Sequence, residues 1–255
     1  MTAGGFGSHP TASALASRWP SLGKLIHFLY PPMPVLNTIP EETLERIRAA
    51  LFPMGGTVVN IGAGMVQGAG ARLWRGVEVS GAYVIQLDVG WGPDVTLVAD
   101  AMRLPLADAS VDSVVLQAVL EHVPEPDAVI REAARVLKPG GYIYVEMPFL
   151  QGFHADPHDY QRYTVEGLRR RLASFQETAA GVSAGPFCAL VWLLRDLASS
   201  WTTNPVLFAL LRFIAGWLLA PVRYLDFLVR SNRVALRLAS ELYLLAQKPG
   251  ASRDS

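Results

Sequence analysis

Val58-Val59-Asn60-Ile61-Gly62-Ala63-Gly64 is an apolar, β-branched run that stops on two glycines, and a second such run, residues 83–87, ends at the acidic Asp88. The first run reads as a buried parallel strand. Glycines at its carboxyl end let the main chain approach a ligand, and an acid a little over twenty residues on can take ribose hydroxyls, which is the layout of a nucleoside-cofactor site. A plain strand-to-helix turn uses the same glycine pair, so the remainder of the chain has to decide between the two.

Past Asp88 come Leu97-Val98-Ala99-Asp100-Ala101-Met102-Arg103-Leu104-Pro105-Leu106, then a run centred on Asp112, then Leu120-Glu121-His122-Val123, then Arg135-Val136-Leu137-Lys138-Pro139-Gly140-Gly141. In this order the blocks resemble the class I S-adenosylmethionine-dependent methyltransferases with a type 11-like methyltransferase domain, from about residue 57 to 148 and more weakly to 175. The resemblance implies a doubly wound, Rossmann-like α/β fold with a seven-stranded sheet whose last strand is antiparallel. It also implies S-adenosyl-L-methionine as cofactor. On the matching positions it assigns cofactor contacts to Asn60, Gly62, Ala63, Gly64, Asp88, Asp100, Ala101, Met102, Gln117, Ala118 and His122. Two departures stand out. Asn60 occupies the place where the family usually carries Asp or Glu, and Val66 replaces the third glycine, with Gly68 as a partial substitute.

The residues themselves place strands at 57–61, 83–87, 95–99, 112–117, 141–146 and 241–247, with a looser strand at 175–182. Helices are expected from Pro40-Glu41-Glu42 to about Phe52, at 127–137 with a stop at Lys138-Pro139-Gly140-Gly141, and at 165–173. Strands alternating with helices build a parallel sheet with helices on both faces. We divide the chain into an extension at 1–39, partly disordered, a methyltransferase domain at 40–248, and a disordered tail at 249–255. Within the extension, residues 19–30 are mildly amphipathic, and the prolines at 31, 32 and 34 stop any helix there.

Between residues 186 and 239 the chain departs from the minimal family pattern. Four apolar segments, 187–194, 205–211, 213–219 and 224–229, are interrupted by Arg195, Asp196, Arg212 and Arg223. Arg212 falls in the middle of the best window for a span, so helices lying in a membrane interface suit the sequence better than a crossing helix. A hydrophobic lid on the sheet or a dimer contact is the alternative.

The chemistry concentrates after the fifth strand, in Phe149-Leu150-Gln151-Gly152-Phe153-His154-Ala155-Asp156-Pro157-His158-Asp159-Tyr160-Gln161-Arg162-Tyr163. Loops at a strand's carboxyl end carry function on a rigid frame, and this one is dense in titratable groups. It is expected to hold the acceptor, with a general base drawn from His154, His158 or Asp159. No metal is expected, because Pro157 denies His154 and His158 the helix that would align them.

The 255 residues are 51% apolar, with 22 Lys and Arg against 22 Asp and Glu. That balance argues against nucleic acid, which needs a basic face. The single Cys188 lies in an apolar run and is expected to be a buried thiol in a reducing, cytoplasmic setting, with peripheral contact at the inner membrane face. The function expected is methyl transfer to an oxygen of a small, glycan or lipid-linked acceptor. A non-catalytic, membrane-docked assembly module and a dinucleotide-dependent oxidoreductase are the alternatives. Oligomeric state is not legible.

Overall fold

The computed structural model describes residues 30–65, 69–155 and 157–250. The expectations for residues 1–29, 66–68 and 251–255, including most of the amphipathic 19–30 segment and the Val66 and Gly68 departures, lie outside the described residues. Among the described residues, seven strands form one sheet: β1 (Thr57–Ile61), β2 (Tyr83–Asp88), β3 (Leu97–Val98), β4 (Val111–Gln117), β5 (Leu137–Pro148), β6 (Gln176–Ala184) and β7 (Glu241–Gln247). Their order is β3-β2-β1-β4-β5-β7-β6. The first five pair in parallel, and β7 runs antiparallel between β5 and β6. This is the architecture that the family resemblance implies. The strand order reverses between β1 and β4, and open α/β sheets bind ligands in the crevice beyond the carboxyl ends at such a point.

Helices cover the two faces because each presents one apolar stripe. In α1 (Glu41–Leu51), Leu44, Ile47 and Leu51 recur on one side and are buried, while Glu41 and Glu42 suit the positive amino end. A short α2 (Val77–Ser80) leads into β2. In α3 (Pro126–Val136), Pro126 starts the helix and Val129, Ile130, Ala133 and Val136 pack on the sheet. In α4 (Val165–Arg171), the Thr164 side chain caps the amino end by accepting from the Gly167 amide at 3.1 Å.

One local expectation differs from the structure. Lys138-Pro139-Gly140-Gly141 ends α3 but is no separate turn: β5 begins at Leu137 and incorporates these residues, with a register shift opposite Val111 and Ser113. Gly140 accommodates that bulge at φ +82°. Arg212 interrupts the apolar composition but not the helix. Helix α6 (Pro205–Leu219) runs straight through it, because the guanidinium pairs with Asp196 of the preceding α5 (Pro186–Ser199) and lies over the Phe208 ring. A charge that finds a partner need not terminate a helix.

The insertion is fastened to the sheet at both ends. Asp226, fully buried at the start of α7 (Asp226–Val229), accepts the Phe187 and Cys188 amides at 2.8 and 2.9 Å, and so caps α5 from 38 or more residues away. Cys188 is buried beside it, and that burial pushes its thiol pKa well up. The described part of the extension joins in. Thr38 donates its amide to the Ser183 carbonyl of β6 at 2.8 Å, and Arg223 donates to the Met33 carbonyl at 2.6 Å. Even so, Leu207, Leu210, Ile214 and Leu218 of α6 are exposed. Residues Pro205–Val229 have the length and composition of a membrane-crossing helix.

Candidate active site

The tips of β1 and β2 are joined through one carboxylate. Asp88 accepts the Gly64 amide on Oδ2 at 2.9 Å and the Gly90 amide on Oδ1 at 3.0 Å, so it fixes the glycine turn while each oxygen keeps a lone pair for a ligand. Gly64 is exposed, and a Cβ there would lie 3.0 Å from Asp88 Oδ2. Gly62 sits at φ +79°, and a Cβ there would come within 2.5 Å of Val119 Cγ2. Glycine is therefore required for two reasons: the left-handed backbone, and the closeness of the turn after β4.

Beyond β3, Asp100 is exposed and accepts the Met102 amide on Oδ1 at 2.8 Å, which shapes the turn and leaves Oδ2 available. Ala101 is buried and Met102 packs partly on the core. An exposed Gly64, a half-buried carboxylate at the next strand end and a second acid one strand further fit the ribose and adenine ends of a nucleoside cofactor.

Other expected cofactor residues are more engaged than their positions imply. Asn60 is buried, and its amide donates to Gln86 Oε1 of β2 at 2.7 Å, so it ties the strands together. Gln117 donates to Glu146 at 2.6 Å and accepts from the Trp74 indole at 2.9 Å. Ala118 takes the left-handed conformation at φ 52°, uncommon for a side-chain-bearing residue and worth roughly 1 kcal/mol of strain, while its amide bonds the Glu146 carbonyl at 2.9 Å. That flip turns the chain abruptly at the sheet edge. Ala63 is buried beneath the glycine turn.

The loop after β5 does not stand free. It is stapled to the turn after β4: Tyr160 donates its amide to the Glu121 carbonyl at 2.8 Å, and the Gln161 amide bonds the carbonyls of Leu120 and Val123. These bonds bring His154 beside Glu121 and His122. The Nε2 atoms of His154 and His122 lie 3.9 Å and 3.7 Å from Glu121 Oε1, and the two imidazoles meet edge to face at 5.5 Å. From α5, Trp192 stacks on His154 at 6.0 Å. Asp196 lies so close to Gly152 that a Cβ there would come within 2.3 Å of its Oδ2. The insertion thus roofs the crevice beside His154 and Gly152.

The three expected base candidates separate on this geometry. Asp159 is clamped by both Arg162 nitrogens and by the His154 amide at 3.0 Å. Burial pushes its carboxyl up, but Arg162 outweighs burial and holds it below the usual carboxylate range, so it is a poor base. His158 is exposed, lies against Tyr160, and faces the cluster only through its carbonyl. His154 remains. Burial works against its charged form, yet Glu121 and the Gly152 carbonyl prevail and raise its pKa above the ordinary histidine value.

Residues 57–145 match the methyltransferase domain model, which spans β1 to β5 and both strand tips just described. The chain carries a class I S-adenosylmethionine-dependent methyltransferase domain. A ubiquinone/menaquinone biosynthesis C-methyltransferase of Caulobacter sp. (strain K31) is 34% identical over 118 residues, 38% of this chain and 46% of that protein. A ubiquinone biosynthesis O-methyltransferase of Marinobacter nauticus is 32% identical over 152 residues, 52% of this chain and 58% of its own. The chain spans about half the length of the curated relatives it matches. In fold, the [4+2]-cyclase SpnF superposes with a TM-score of 0.56 at 17% identity, covering 94% of this chain and 98% of that one. A putative sarcosine dimethylglycine methyltransferase from Galdieria sulphuraria gives 0.52 at 15%, covering 93% and 98%.

Within the methyltransferase domain, Glu121 is a site residue to which the sequence reading assigns no role, although it lies inside the Leu120–Val123 block. The available signal is an acid between Leu120 and Val123, in an apolar setting where a carboxylate needs a reason to be. Trp192 carries no comparable signal, because an aromatic in an apolar helix reads as core.

Proposed function

We propose that the chain transfers the methyl group of S-adenosylmethionine to an oxygen of a small or lipid-linked acceptor. Bound at the β1–β2 crevice, the cofactor would supply an electrophilic methyl group that the acceptor oxygen attacks in line, with S-adenosylhomocysteine as the leaving group. Asp88 accepts the ribose hydroxyls, Asp100 and the turn at Ala101 and Met102 meet the adenine, and Gly62 and Gly64 let the backbone pass beneath. The acceptor lies under Trp192, with its hydroxyl towards His154, the one expected base with a free ring edge facing the cluster. Asp159 and Arg162 hold that loop in place. Water is kept out by the insertion, and positioning accounts for most of the rate gain in such a displacement.

The observation that carries this reading is the pair of strand tips joined by Asp88 to Gly64. Relatives named for O- and C-methylation in ubiquinone biosynthesis support a small or lipid-linked acceptor, and the exposed leucines of α6 support attachment to a membrane surface with the domain in the cytoplasm. Titration calorimetry of the full chain with S-adenosylmethionine, S-adenosylhomocysteine and NADH tests the first half. Saturable binding of the first two without the third is expected; NADH binding, or no binding at all, overturns it. The engaged Asn60 amide favours a second, binding-only reading, and cofactor binding without methyl transfer to any acceptor would select it.

A further inference from the structure

We propose that Glu121, His122 and His154 form a site for one divalent transition-metal ion of the zinc type. The first observation is a set of facing lone pairs. His122 Nδ1 lies 2.5 Å from the His158 carbonyl and His154 Nδ1 lies 2.9 Å from the Gly152 carbonyl. A carbonyl only accepts, so each Nδ1 carries the proton. The Arg162 guanidinium also approaches His154 Nδ1, at 3.3 Å, but the shorter contact decides the tautomer. When neutral, each ring therefore turns a bare Nε2 towards Glu121, whose oxygens are acceptors too. Among the described residues, three acceptors point at one another with nothing positive between them.

The second observation is independent of the first. Glu121 is fully buried, and neither of its oxygens has a hydrogen-bond partner among the described residues. A carboxylate placed so is costly unless a cation compensates it. The nearby guanidinium of Arg162 is committed to Asp159. A proton on either Nε2 is a weak remedy, since 3.7 and 3.9 Å are too long for a hydrogen bond.

Those separations suit an ion. With metal–nitrogen and metal–oxygen bonds of about 2.0–2.2 Å, ligand atoms around a tetrahedral centre lie roughly 3.4 Å apart, and the three atoms here are all within 4.8 Å of one another. The Nδ1–H to carbonyl bonds are the usual outer support that fixes a ligating histidine's tautomer and aim. Two imidazoles and a carboxylate suit zinc and its neighbours better than calcium or magnesium. Both histidine side chains keep a partly exposed face, with side-chain exposures of 20% and 29%, so a three-ligand site retains an open position. This differs from the expectation of no metal, which rests on His154 and His158 alone and has no access to Glu121 and His122 across the fold.

The open position faces the space assigned to the acceptor. Coordinated there, an acceptor hydroxyl becomes more acidic and can lose its proton to solvent, with His154 serving as ligand in place of base. This role rests on the methyl-transfer reading, whereas the ion site itself does not.

The test uses the full-length, tag-free chain after chelator treatment and dialysis, titrated with zinc chloride by calorimetry and with cobalt(II) by visible absorption. One ion per chain is expected. Glu121→Gln, His122→Ala and His154→Ala should each weaken zinc binding by about 10- to 100-fold or more, since loss of an outer supporting partner alone costs that much, while His158→Ala, which keeps the carbonyl, should leave it unchanged. If His154→Ala fails to fold, the isosteric Glu121→Gln decides. Absence of stoichiometric binding, or wild-type affinity in Glu121→Gln, overturns the site. Neither methyl donor nor acceptor is present, so failure here leaves the methyl-transfer reading standing, and loss of that reading leaves the ion site standing.

Discussion

The two halves of the sheet edge are built on opposite plans. At β1 and β2 the site is main chain and one carboxylate: Gly62 and Gly64 contribute by lacking side chains, and Asp88 organises them while remaining half exposed. At β4 and β5 the site is side chains brought from distant loops, with Glu121 and Asp159 buried or nearly so and held by staples between the loops. In the proposed reading, the half made of backbone serves a cofactor whose shape never changes. A half made of packed side chains can be respecified by loop substitution, and this is where a large domain family diversifies.

If the halves are separable, damage to one should spare the other, and His154 gives the strongest test. His154→Ala is expected to lower methyl transfer by about 10²-fold or more while leaving S-adenosylmethionine affinity within a factor of about two. Turnover assays with parallel calorimetry decide it, and loss of cofactor affinity would mean that the two halves are one site.

Asp88→Ala probes the backbone half. Removing an acceptor of two hydroxyl hydrogen bonds, each worth about 1.5–3 kcal/mol to a charged group, should weaken cofactor binding at least about tenfold. The glycine turn also loses its tether, so a fold check by circular dichroism belongs with the calorimetry. Unchanged affinity would remove Asp88 from the site.

The insertion bears on the acceptor half from outside. Leu210 and Leu218 are 51% and 74% exposed on α6. Replacing both by Glu should cut the lipid-bound fraction severalfold in liposome flotation, since each buried leucine is worth about 1.5–3 kcal/mol. Full-length protein that stays soluble under all salt conditions would make this face a protein contact.

A gentler probe is the pair of acids behind the acceptor half. Burial, and then the charge of Glu146, raise Glu241 from 4.5 to about 8. A carboxyl raised in the folded state contributes stability that is present below about pH 4.5 and lost as pH climbs through about 8. Glu241→Gln should therefore raise Tm at about pH 9, on the order of 2–4 °C for each kcal/mol recovered, and change it much less near pH 5. Equal shifts at both pH values would show that the group does not titrate in this range.

The sheet and the strand ends of the proposed cofactor half are legible in the chain before it folds. Strands β1 and β7 can be read to the residue, because alternation and apolar runs are local signals and a one-residue slip would invert every side chain. Gly62, Gly64 and Asp88 are legible for the same reason: each acts at a strand end, where position along the chain fixes position in space. For Asn60 and Gln117 that reading has no access to the protein partners, since Gln86 and Glu146 reach them from other strands. Arg212 reads only as a charge inside an apolar window, because Asp196, which neutralises it, comes from another helix.

The acceptor half exists only in the folded molecule. Glu121 and His154 are far apart in the chain, and no local pattern states that β4 and β5 lie side by side with their following loops stapled together. Which ring edge of His154 is bare depends on the Gly152 carbonyl, and which of three candidate bases faces the cluster depends on Arg162 claiming Asp159. Chemistry made by long-range packing is invisible to periodicity, because periodicity records which face a residue takes and not which residue it will meet there.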